Sequence, residues 1–109
     1  MRRFSFDQYE FDSASSEEAL ELAVSSVAQH PTLAEFLTDC GASSRTGSRP
    51  PVDWANWEWI GGTVRARTGL ELPPIEKCEV LLLSDESDDV ELAIRVDSVL
   101  LWYHWWTTA

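Results

Sequence analysis

The chain is expected to fold as one α+β domain. The expected sheet is antiparallel, with about four strands: one N-terminal and three in a C-terminal meander. Three helices are expected to pack on it. Three observations predict this. The last third holds closely spaced apolar runs with the two-residue period of strands. Helical stripes with capping residues come before it. At 109 residues the chain has the length for a single core. Late consecutive strands behind a helical region favour antiparallel pairing with helices on a face.

The most informative stretch is 99–107, VLLWYHWWT. Extended, it shows Val99, Leu101, Tyr103, Trp105 and Thr107 on one side and Leu100, Trp102, His104 and Trp106 on the other. Both sides are apolar or aromatic, so an interior strand covered on both faces is expected. A helix is the weaker alternative, because Trp, Tyr and His are poor helix formers and no cap precedes them. Just upstream, Val90, Leu92, Ile94 and Val96 alternate with Glu91, Ala93, Arg95 and Asp97, the pattern of a half-buried partner. Asp97-Ser98 reads as the turn between them; one long strand bulged at that point is the competing arrangement.

Taken in order from the start, residues 3–7 alternate as a first strand, with Tyr9 and Phe11 out of phase beyond Gln8. Ser15-Ser16-Glu17-Glu18 fits a capping box. Leu20, Ala23, Val24, Val27 and Ala28 form a stripe at helical spacing, which predicts a helix over 16–29 that Pro31 ends. Thr32 and Glu35 open a second, shorter helix; Leu33, Phe36, Leu37 and Cys40 share its face, and Gly41 is its left-handed stop. His30, beside Pro31, reads as a cap or a solvated corner.

Residues 41–51, GASSRTGSRPP, are small, polar and proline-ended, and a mobile loop is expected. Asp53 is expected to cap a third helix through about Thr68, with a stripe of Trp54, Trp57, Gly61, Val64 and Thr68. A strand over 54–60 is the alternative, because each of Gly61 and Gly62 costs a helix about 1 kcal/mol relative to Ala. Close packing against a sheet would give those glycines a purpose. Residues 76–83 read as a strand with Cys78, Val80 and Leu82 inward. Ser84 to Asp89 reads as an acidic turn. Asp85, Ser87 and Asp89 alternate as in a calcium loop, but the required Gly is missing and position twelve falls on Val96.

Composition bounds the function. Nineteen carboxylates face eight basic residues, for a net charge of −11. Such an excess repels nucleic acid and anionic membranes and attracts basic surfaces. No apolar run approaches the roughly 20 residues of a membrane helix. The Met-Arg-Arg start lacks a following apolar segment, so a cytoplasmic protein is expected. Cys40 and Cys78 lie far apart without a C-x-x-C, and are expected as small buried thiols, a disulfide between them being the alternative. There is no H-E-x-x-H, nucleophile elbow, phosphate loop or dinucleotide loop, and no Ser-His-Asp context in the sequence. His104 sits among aromatics and reads as a packed residue. No catalytic residue, metal ligand or cofactor is therefore expected.

Six tryptophans in so short a chain favour a binding surface, since Trp and Tyr dominate interface hot spots. The expected contact residues are Asp85, Glu86, Asp88, Asp89 and Glu91 for charge, and Trp102, Trp105 and Trp106 for holding energy. The expected partner is a basic protein, with a nuclease or another nucleic-acid-acting protein as the leading type. Size and charge are those of toxin immunity proteins and of phage inhibitors of nucleic-acid-guided defences, although no motif carries a family resemblance. Two other functions fit the composition. One is a subunit or homodimer assembling through an aromatic sheet face. The other is a small enzyme or ligand-binding domain with an aromatic pocket.

Overall fold

A computed structural model describes residues 1–6, 18–42 and 45–107. It is an α+β structure with one five-stranded antiparallel sheet. The strands are β1 (Arg2–Phe6), β2 (Glu18–Ser26), β3 (Glu79–Glu86), β4 (Asp89–Val96) and β5 (Val99–Thr107). Their order is β1-β2-β5-β4-β3. Two α-helices, α1 (Leu33–Cys40) and α2 (Asn56–Thr68), lie between β2 and β3 in the chain, and a 3₁₀ turn at Ile75–Lys77 leads into β3.

β5 is the central strand, as its two apolar faces require. One face carries Leu101 and Tyr103. Together with Leu20 and Leu22 of β2 and Val90, Leu92 and Ile94 of β4, they meet Ile60 and Val64 of α2. On the opposite face Leu100 and Trp102 join Ala23 of β2 under Phe36 and Cys40 of α1. The two helices thus cover opposite faces. The Asp97-Ser98 turn joins β4 to β5 as a two-residue hairpin, with Val96 paired to Val99 and Asp97 in the left-handed region at φ 54°. Asp tolerates that region better than most residues.

The helix expected over 16–29 is corrected: residues 18–26 are strand β2. All nine residues pair with β5, from Glu18 opposite Thr107 to Ser26 opposite Val99, and five pair with β1. The stretch satisfies two periods at once. Leu20, Ala23, Val24 and Val27 make a helical stripe, while Leu20, Leu22 and Val24 alternate with Glu21, Ala23 and Ser25. The aromatic β5 needs a hydrogen-bonded neighbour on each side, and β2 is that neighbour; tertiary pairing overrides a local preference of a few tenths of a kcal/mol per residue. The sheet therefore has five strands instead of four, and the helices number two instead of three among the described residues. Residues 7–17, with the aromatics Tyr9 and Phe11 and most of the capping box, lie outside the described residues.

The other elements follow their sequence signals closely. Thr32 caps α1 by accepting from the Glu35 amide at 3.2 Å, and Gly41 at φ 74° ends it. α2 ends at Gly69, φ 79°, but it begins at Asn56 with no side-chain cap, so Asp53 does not cap it. β3 starts at Glu79 instead of 76 and extends to Glu86, which shortens the acidic turn to Ser87-Asp88. Within 41–51, Ser48 exchanges backbone hydrogen bonds of 2.9 and 2.7 Å with Leu82, beside the β3 bulge, and shields part of that edge strand. Gly47 packs on Leu81 so closely that a Cβ there would lie 2.3 Å from the leucine side chain. Cys40 and Cys78 are free and buried in separate cores. Burial pushes the Cys40 thiol up to about 11, against the lowering effect of Arg3, and pushes Cys78 up as well. Neither is a reactive thiol at neutral pH.

Gly61 and Gly62 do not serve close packing: a Cβ at either would meet nothing within 4 Å. Gly61→Ala should therefore stabilise the fold by about 1 kcal/mol through helix propensity alone. A thermal melt should show a rise of about 4–5 °C for a domain of this size. A fall would mean that α2 needs the glycine for a contact.

Candidate functional site

The hairpin between β3 and β4 places Asp85, Glu86 and Asp88 on the surface. Asp85 is tied inward: its carboxylate accepts from the Trp54 indole at 3.0 Å and from the Asn56 amide at 3.3 Å. Those bonds join the hairpin tip to the start of α2. Asp89 is half-buried and occupied, accepting from His104 Nε2 at 3.1 Å and facing Arg45 at 3.5 Å.

Glu91 and Trp102 are corrected as contact residues. They are 1% and 2% exposed. The Trp102 indole donates to the Glu91 carboxylate at 3.0 Å inside the fold. The reason is register: Glu91 lies opposite His104 and two residues along β4 from Ala93, the partner of Trp102, so it shares the sheet face on which Trp102 packs under Phe36 and Cys40 of α1. Trp105 and Trp106 are half-buried on opposite faces of β5. Trp106 stacks on His104 at 4.6 Å between ring centres. Of the eight expected contact residues, Asp85, Glu86 and Asp88 are exposed at the hairpin, and half-buried Trp106 borders it, paired with Asp89 and followed by Thr107, whose amide donates to the Asp88 carbonyl at 3.0 Å.

A second pair of indoles also adjoins that hairpin, through the Trp54–Asp85 bond. An open groove of about 820 Å³ runs between α2 and the segment 71–76. Trp54, Trp57 and Leu72 line its floor, and Asp53, Glu58, Glu71 and Glu76 put four carboxylates on it against the single base Arg65. Trp57 is held by an indole bond to the Pro73 carbonyl at 3.3 Å. Because Trp54 also bonds Asp85, the groove and the acidic hairpin tip are continuous. The sequence places both indoles on one expected helical stripe, and both do pack against the main core at its margin; the stripe alone does not reveal the groove beside them. The signal was the close interleaving of acids with indoles in DWANWEW and of acids with aliphatic residues in LELPPIE.

A second polar cluster is catalytic in outline only. His30 Nε2 lies 2.7 Å from Asp39 Oδ2, and Ser25 Oγ lies 2.6 Å from His30 Nδ1. With the carboxylate accepting from Nε2–H, Nδ1 faces the Ser25 hydroxyl, which also donates toward Gln29 Oε1 at 3.1 Å; the Ser-His-Asp order resembles a hydrolytic relay, but the one hydroxyl proton is shared between two acceptors. Ser25 and His30 are only 7% and 8% exposed, however, and neither this groove nor the cleft described below opens on them. The cluster clamps α1 to the end of β2, with His30 also edge-on to Phe36 at 5.6 Å. His30 is accordingly a buried linking residue and not a solvated corner. His30→Ala leaves the Ser25 hydroxyl its Gln29 partner but removes the bond to Asp39 and the edge contact with Phe36, and should cost about 2 kcal/mol. A chemical denaturation midpoint that does not move would remove the clamp.

Among the described residues no group of three or more His, Cys, Asp or Glu side chains is placed to hold a metal ion, and no helix is long and apolar enough to cross a membrane. The chain matches no known protein family, no curated protein and no solved structure.

Proposed function

We propose that this protein is a stoichiometric inhibitor that docks on the basic surface of another protein, a nucleic-acid-acting protein being the leading class. The supporting observation is the acid-lined groove, with two indoles on its floor, that runs on into the Asp85–Glu86–Asp88 hairpin tip. Such a surface divides the work of binding. Carboxylates speed encounter with a cationic partner, and the rings, once desolvated, hold it. The net charge of −11 keeps nucleic acid itself away and leaves the partner's basic site as the complementary surface.

Affinity capture followed by mass spectrometry identifies the partner. Its association rate, measured at low salt and at about 0.5 M salt, then tests the mechanism. The rate should fall at least about ten-fold as charge is screened. An unchanged rate, or a partner without a basic contact surface, rejects the proposal.

A further inference from the structure

On the other side of α2 a smaller cleft, of about 380 Å³, opens toward β5. Leu20, Tyr103 and Trp105 form its sheet side, and Trp59 of α2 walls it. Two polar atoms on the sheet side have no partner: Tyr103 Oη and Trp105 Nε1, each with less than 1 Å² exposed. Buried polar side chains are normally satisfied, so two orphans two residues apart on one strand face need a cause. Trp59 supplies part of it. It lies edge-on against Tyr103 at 6.1 Å and against Trp105 at 5.9 Å, yet it is 48% exposed. Turning outward costs Trp59 the buried half of its surface and two edge contacts, less than any fully buried wall would lose, so Trp59 is the wall that can open on the two atoms.

We propose that this cleft binds a small, flat, uncharged ring bearing a hydrogen-bond acceptor, with Tyr103 and Trp105 as donors and Trp59 as the movable wall. The chemistry follows from the groups present. An indole N–H can only donate and a phenol O–H can donate, so the ligand must accept. Aromatic walls favour a flat partner. The volume lies near the lower end of small-molecule pockets and suits one or two rings. Glu58 and Arg67 both line the cleft with opposite charges, which favours a neutral ligand. The site is independent of the proposed inhibitor function, because neither Tyr103 nor Trp105 lines the acidic groove.

The test is a titration with nicotinamide, a neutral aromatic amide, followed through the indole N–H resonances of the intact protein. Saturable shifts confined to Trp59 and Trp105 are expected, with a dissociation constant of about 1 mM or tighter. Toluene, similar in shape but with no acceptor, should bind about ten-fold more weakly, and Tyr103→Phe should weaken nicotinamide about five-fold. Trp59→Ala changes an exposed position, keeps the fold and should also weaken binding. The proposal is overturned by any one of four results. These are no saturation by about 10 mM nicotinamide, equal binding of toluene, full affinity in Tyr103→Phe, or full affinity in Trp59→Ala. Glu71→Lys/Glu76→Lys, in the groove, should leave the nicotinamide shifts unchanged, so failure here and failure of the inhibitor proposal are separable.

Discussion

Tyr103→Phe is expected to raise the melting temperature of this protein. Tyr103 is wholly buried beneath α2, and its hydroxyl has no hydrogen-bond partner. Burial pushes its ionisation well above the ordinary tyrosine range, because the apolar surroundings disfavour the charged form. An unsatisfied buried hydroxyl costs about 1–3 kcal/mol, whereas Phe keeps the ring and its packing. The gain should appear as a rise of about 5 °C or more in a reversible thermal melt. A lower melting temperature would show that the hydroxyl has a structural partner. The substitution also separates stability from binding, since the more stable variant is the one expected to lose affinity for a ring ligand.

The second large effect is kinetic. Glu71→Lys combined with Glu76→Lys reverses two exposed charges on the groove. Exposed surface substitutions away from caps and networks usually change stability by no more than about 0.5 kcal/mol. Association with a basic partner should nevertheless slow about ten-fold or more at low salt, because steering depends on the summed field at the docking surface. Near 0.5 M salt the difference should shrink to about two-fold, the Debye length there being only a few ångströms. Dissociation should change little. Stopped-flow or surface-binding kinetics against the captured partner would read all three. Equal slowing at both salts would mean that the lysines obstruct the groove sterically and that charge is not what guides the partner.

Much of the architecture was legible in the chain. Residues 90–107 show their pairing, because period-two alternation on β4 and two apolar faces on β5 have few other solutions. Thr32 and Gly41 mark both ends of α1, Thr32 accepting from the Glu35 amide as one half of the expected capping box and Gly41 closing the helix in the left-handed region. β2 was not legible, since Leu20 to Val27 fits a helical stripe as well as an alternating strand. The candidate site was legible in part. The hairpin acids Asp85, Glu86 and Asp88 are exposed as expected, whereas Glu91 and Trp102 bond each other inside the fold. A carboxylate one residue from an exposed hairpin and a carboxylate facing a covering layer look identical in one dimension.

The sequence alone determined the α+β class, the central place of β5, the limits of α1 and the surplus of negative charge. Each depends on local periodicity, capping chemistry or a simple sum of charges. Only the tertiary structure decided that 18–26 would be a strand, that Trp54 and Trp57 would floor an acid-lined groove, and that Tyr103 and Trp105 would hide two unpaired polar atoms. Those outcomes depend on which neighbour completes a hydrogen-bond ladder or covers a face, and contacts between residues tens of positions apart leave no period in the chain.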